Sequence, residues 1–252
     1  MKTRLIPLTL ACLLVAAPAT AQVNYAVSGN TASVTRSPNA SGDIVIASTF
    51  NGFPVTSIGN LAFGECTGLT SVTIPNGVTS IEKDAFFRCT SLAGVTIPNS
   101  VTTIGPGAFY FCTSLTNVIM GNSVTTIGGY AFAYCASLTN VTIPGSVTSI
   151  GPGAFFQCTS LASVAIPGSV ISIGPSAFAY CWSLTGVTIP GSVTSIGSLA
   201  FSDCRSLTGV AIPDSVTSIG GSAFSRSSSL TSVTIGNGVT NIENGAFYDA
   251  RA

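Results

Sequence analysis

The chain has 252 residues, only 6% of them charged, with eight basic and eight acidic side chains and no histidine. That composition leaves a nucleic-acid surface without its electrostatic term, because such binding rests on neutralising phosphates. It also excludes a Ser-His-acid relay.

The first 21 residues read as a signal peptide. Lys2 and Arg4 precede an apolar run from Leu5 to Ala17, and Ala19-Thr20-Ala21 supplies the small residues of a cleavage site. A spanning helix fits less well, because the run is short and carries Pro7 and Pro18. A lipoprotein reading through Leu10-Ala11-Cys12 fits poorly, since Cys12 sits early in the run. Gln22 is then the mature start, and the protein is exported, either secreted or held at the cell surface. Removing Lys2 and Arg4 leaves six basic against eight acidic residues, a formal charge of −2.

Residues 22–50 are expected to form an N-terminal β cap. Tyr25 to Val27 and Ala32 to Thr35 flank a Ser28-Gly29-Asn30 turn, and Ile44-Val45-Ile46 is a third apolar run. The cap would cover the open end of a stacked core.

From residue 51 to 252 the chain repeats every 23 residues. Phe63, Phe86, Phe109, Phe132, Phe155, Phe178, Phe201, Phe224 and Phe247 lie at that spacing with no insertion. A fixed period of this size means a solenoid, a propeller or an array. The unit from Leu138 to Ser160 shows its parts. Val141-Thr142-Ile143 alternates as a half-buried strand does, and Pro144-Gly145 turns the chain. Val147 to Ile150 is a second extended segment. Gly153 to Cys158 is expected to be a single helical or 3₁₀ turn, held by packing. Stacked at about 4.8 Å per strand, roughly nine coils extend on the order of 40 Å. The Leu, Ile and Phe columns would point inwards together.

The pattern C-x-S-L-x-x-V-x-I-P-x-S-V-T-x-I-G-x-x-A-F, running from about Gly52 to Tyr248, resembles the BspA-type leucine-rich repeat. The resemblance implies a curved right-handed solenoid with parallel sheet on one face, in a β-rich fold with short helical turns. It also implies a surface or secreted protein of bacteria or some protozoa, often linked to adhesion. Met120-Gly121 and Ile235-Gly236 lack the proline, and Ser227 and Ala250 stand where cysteine is expected.

Cys66, Cys89, Cys112, Cys135, Cys158, Cys181 and Cys204 form one column. Their odd number and wide spacing disfavour a disulfide framework or a metal site. The preferred reading is a ladder of buried free thiols, with pairwise oxidation of neighbours left open. Lys83, the one lysine after the leader, sits between Glu82 and Asp84 as a solvated pair, and the acids scatter over different columns. No enzyme, cofactor or metal is expected.

Two surfaces remain for binding. Threonine ladders, such as Thr79, Thr102, Thr125 and Thr148, are read first as strand-compatible solubilising residues. Their sharper reading is a hydroxyl lattice for ice or crystalline polysaccharide. The aromatic surface comprises Tyr110, Phe111, Tyr134, Phe156, Tyr180 and Trp182. The position before each cysteine accepts Glu65, Arg88 and Asp203 as well, so this column is expected to reach solvent. Either these rings dock a partner, or they pack against neighbouring coils. The function expected is a non-catalytic adhesion or interaction module for a protein or glycan partner. The alternative is a structural protein that self-associates through an uncapped C-terminal coil.

Overall fold

The computed structural model describes residues 23–250, so the leader read from residues 1–21 and the mature start at Gln22 lie outside the described residues. The N-terminal part contains β1 (Asn24–Ser28), β2 (Thr31–Thr35), β3 (Gly42–Val45), β4 (Thr49–Phe50) and β5 (Phe53–Ile58). β1 pairs antiparallel with β2, and β4 does so with β5. β2 pairs parallel with β5, and β3 pairs parallel with the strand of the first full coil, β6 (Leu69–Thr73). Residues 31–46 therefore already run as an incomplete coil, with Ala32, Val34, Ile44 and Ile46 buried. Only β1 and the two-residue β4 run against the stack.

Each later coil contributes two short strands, such as β7 (Ser80–Ile81) and β8 (Gly94–Ile97), then β9 (Thr103–Ile104) and β10 (Asn117–Met120). The strands of the T-S-I type form one long ladder that starts at β1, β2 and β5 and ends at Asn241–Ile242. The strands of the V-T-I type form a second ladder, divided into two sheets. One is β3, β6, β8 and β10, and the other runs from Asn140–Thr142 to Ser232–Ile235. Sheet was expected on one face; the coils carry parallel ladders on two sides. Register is kept throughout the coils, so Ile127 opposes Ile104 and Ile150. A period of 23 with no insertion makes this the only register that keeps like over like.

The third side corrects the sequence reading. There is no α or 3₁₀ helix among the described residues. Residues 151–158 run instead as overlapping tight turns. Ala154, Phe156 and Cys158 N–H groups donate back to Gly151, Gly153 and Phe155 carbonyls. The alternate N–H groups, of Gly153, Phe155 and Gln157, donate to Pro175, Ala177 and Ala179 of the next coil at 2.8–2.9 Å. Half of the donors thus leave the coil, which a continuous helix could not allow. Left-handed residues accompany this pattern. Gly153 has φ +60° and Gln157 has φ +55°.

The core is one continuous spine. Phe63 to Phe224 are fully buried, and consecutive rings stack with centroids 5.0–5.5 Å apart and planes within 15°. The leucine column from Leu69 to Leu230 is also fully buried. The seven cysteines are free and buried, as the thiol ladder requires. They do more than fill space. The Cys158 thiol donates to the Phe132 carbonyl at 3.1 Å, and the same bond recurs from Cys89 to Cys204. Ser227 replaces the next cysteine and donates to the Phe201 carbonyl at 3.1 Å.

Candidate interaction surface

Two outer columns sit at the turns that link the coils. The first precedes the cysteines: Glu65, Arg88, Phe111, Tyr134, Gln157, Tyr180, Asp203, Arg226 and Asp249. All nine are left-handed, with φ between +55° and +67°, and none is glycine. Holding an L-residue there costs roughly 1–2 kcal/mol, which glycine would relieve. The second column holds Leu61, Asp84, Gly107, Tyr130, Gly153, Ser176, Leu199, Ser222 and Gly245, again all left-handed.

These corners place the rings side by side. Phe111 stacks on Tyr134 with centroids 4.4 Å apart. Tyr110 meets both edge-on, at 5.1 and 5.3 Å. Tyr134 meets Phe156 at 5.4 Å, and Phe156 meets Tyr180 at 5.4 Å. Five of the six aromatic candidates thus form one chain of contacts. Phe87 joins it through Tyr110 at 5.8 Å. Sequence reasoning missed Tyr130, which lies 6.4 Å from both Tyr110 and Phe156 and is 47% exposed. Its signal was the glycine one coil on: a Cβ at Gly153 would strike the Tyr130 ring.

The rings are neither fully packed nor fully free. Tyr110, Phe111, Tyr134, Phe156 and Tyr180 are half-buried. The rings therefore pack against neighbouring coils and stay partly open to water. Burial raises the Tyr110 phenol above its ordinary range, with Tyr134 and Tyr130 adding to the effect. Lys83, Asp84, Phe87, Pro106, Tyr110 and Tyr130 line a cleft of about 320 Å³ beside the band. Arg88 lies over Phe87 and Phe111, 5.2 and 5.6 Å from the ring centres.

Trp182 stands apart. It forms no ring pair among the described residues, is 43% exposed, and carries the Arg205 guanidinium 5.2 Å above its ring. Asp203 also departs from expectation. The acceptance of charge in its column implied solvent access, and Glu65, Arg88 and Arg226 are exposed, but Asp203 is buried. It is covered because Arg205 and Arg226 both close on its carboxylate, at 3.1 and 3.9 Å.

One threonine ladder is tied to the backbone of the coil before it. Thr79, Thr102, Thr125 and Thr148 each donate their hydroxyl to the carbonyl of the residue 23 positions earlier, at 3.1–3.5 Å. Those donors are engaged by the backbone. A larger groove of about 660 Å³ lies on the other ladder, over β6, β8 and β10, but it has no aromatic wall. Among the described residues no cluster of histidine, cysteine or carboxylate groups could hold a metal ion, and no helix is long and apolar enough to cross a membrane.

Comparison with known proteins follows the same lines. A BspA type leucine rich repeat region matches residues 46–162 and 125–252, in six copies. A leucine-rich repeat protein from Bacteroides ovatus is similar in structure, with TM-score 0.69 and 26% identity over 90% of this chain and 78% of that one. The T. pallidum leucine-rich repeat protein gives TM-score 0.65 and 27% identity, covering 85% and 90%. A leucine rich cell surface protein from Faecalibacterium prausnitzii gives 0.58 and 30%, covering 88% and 77%. Comparison with curated proteins gives no match. The repeat, its unbroken register and these likenesses place the chain in the BspA type leucine-rich repeat family.

Proposed function

We propose that this protein is a non-catalytic interaction module, exported to the bacterial cell surface or beyond it, that docks a protein or glycan through its aromatic band. One observation carries the reading. Rings are held in contact on corners where every coil adopts a left-handed residue, and the column before the cysteines never uses the glycine that would relax it. Outliers of this kind, repeated across a surface, argue that the displayed side chain matters more than the strain. Half-exposed aromatics are also the residues that dominate binding energy at interfaces. Export rests on the leader in residues 1–21 and on the likeness to a cell surface protein.

The test is capture. The mature chain, immobilised, is exposed to host matrix extracts and to neighbouring bacterial surfaces, beside a variant carrying Tyr130→Ser, Tyr134→Ser and Phe156→Ser. Loss of capture with an unchanged far-UV spectrum supports the band; equal capture by both rejects it.

End-to-end self-association is the second reading. It draws on Ile235 and Ile242, which are 42% and 50% exposed although their copies in other coils are buried. Mass by light scattering that rises with concentration, without ligand, would favour it. Ice or crystal binding loses the ladder from Thr79 to Thr148, whose hydroxyl donors are already bonded, and would fall to the exposed ladder of Thr73, Thr96, Thr142, Thr188 and Thr234.

A further inference from the structure

The cleft at Asp203 lies where the aromatic band ends, at Tyr180, and its chemistry is different. The column that carries Phe87, Tyr110 and Phe156 places serine at 202 and 225, and returns to a ring at Tyr248. These two serines line a cleft of about 230 Å³, walled by Tyr180 and Tyr248 and rimmed by Ser222 and Arg226. Asp203 lines it. This carboxylate is 3% exposed, and its Oδ1 accepts from Arg205 Nε and Nη2 at 3.3 and 3.1 Å. Its Oδ2 accepts no hydrogen bond among the described residues. The Arg226 Nη1 stands 3.9 Å away, too far for one, on a side chain that is 62% exposed. A buried acceptor without a donor costs free energy that a ligand hydroxyl would recover. The Ser202 and Ser225 hydroxyls are 2.9 Å apart, and one donates to the other. That leaves the second hydroxyl hydrogen without a listener inside the protein.

We propose that this cleft binds a neutral pyranose ring, as a terminal or internal sugar of a glycan. A vicinal diol supplies the donor that Asp203 Oδ2 lacks and the acceptors that Arg226 and the free serine hydroxyl seek. Tyr180 and Tyr248 supply aromatic walls for the apolar C–H side of the ring. Few polar groups converging between aromatic walls are what a small-molecule site requires. The charge balance selects against other ligands. Two guanidinium groups around one carboxylate leave a local charge of +1, which disfavours an ammonium group. Asp203 Oδ2 needs a donor, and a uronate or sialate carboxylate brings only acceptors to it, so those sugars fit less well than a neutral diol. The inference rests on the reading of the outer columns as a binding surface, and narrows the partner at this end to a glycan.

The experiment titrates the mature chain with the methyl glycosides of galactose, glucose, mannose and N-acetylglucosamine. Calorimetry measures binding. Emission from Trp182 provides a second signal, because Arg205 links its ring to Asp203. At least one neutral glycoside is expected to bind and to shift the emission. Asp203→Asn should weaken it about tenfold or more, the loss of one charge-assisted hydrogen bond. Tyr248→Ala, at a residue 68% exposed, should weaken binding several-fold without changing the melting temperature. Methyl glucuronide and lysine methyl ester should bind no better than to Asp203→Asn. Absence of binding by all four neutral glycosides overturns the proposal. So does unchanged affinity in both variants, or preference for the lysine ester. The triple variant Tyr130→Ser, Tyr134→Ser, Phe156→Ser keeps the outcomes apart. If it still binds the glycoside but capture never depended on the rings, the aromatic-band reading fails alone. If capture needs the rings and no glycoside binds, this inference fails alone.

Discussion

Replacing Phe155 by alanine tests the spine directly. Phe155 is fully buried and stacks on Phe132 and Phe178 at 5.5 and 5.3 Å. Lost transfer energy and the cavity left behind predict a cost of about 3–5 kcal/mol. The two stacked contacts, each worth about 0.5–1.5 kcal/mol, push the value toward the upper end. Phe247 is the internal control. It occupies the same column but is half-buried and stacks on one neighbour, Phe224, at 5.3 Å. Half the burial and one contact predict about 1–2 kcal/mol for Phe247→Ala. Urea unfolding, followed by Trp182 emission and by far-UV circular dichroism, measures both. Trp182 lies one coil on from Phe155, and a solenoid couples mainly to nearest neighbours, so it senses the loss locally. Equal costs for the two substitutions, or a cost below about 1 kcal/mol for Phe155→Ala, would refute a spine built from stacked rings.

The thiol ladder predicts a pH dependence. Burial pushes the Cys112 and Cys158 thiols from 9.0 up to about 12, and raises Cys135 and Cys181 as well. The unfolded chain therefore binds fewer protons between those values. Stability should be full below pH 9 and fall as pH rises toward 12, which urea midpoints on either side of about pH 10 will measure. Cys158→Ser should shrink that fall while keeping the bond to the Phe132 carbonyl, as Ser227 does to Phe201; Cys158→Ala should cost about 1 kcal/mol more than serine. Gln157→Gly should stabilise the protein by about 0.5–1 kcal/mol, because the relief at φ +55° exceeds the added freedom of the unfolded chain. A lower melting temperature for that variant would contradict the strain argument.

Much of the architecture was legible because equivalent residues must lie over one another. The phenylalanine, leucine and isoleucine columns announce their burial through spacing alone. The form of the third side was not legible. A segment such as Gly153 to Cys158 has the length and the apolar residues of a helical turn, and nothing in its composition says that Gln157 is left-handed. That is decided by hydrogen bonds to a coil 23 residues away. The site was read in part for the same reason. Tyr110, Phe111, Tyr134, Phe156 and Tyr180 share columns and so come together, whereas Trp182 lies two residues on, across a turn that points it toward Arg205. Tyr130 was missed because its column holds no other aromatic residue. Asp203 was misread because burial there depends on Arg205 and Arg226, one beside it and one in the next coil.

The column before the cysteines accepts acid, base, amide and ring without any change in the path of the backbone. Each coil thereby offers an editable letter on a fixed line of type. A lineage could rewrite what this protein recognises one 23-residue cassette at a time, by point mutation or by duplicating a coil, and leave the folding problem already solved.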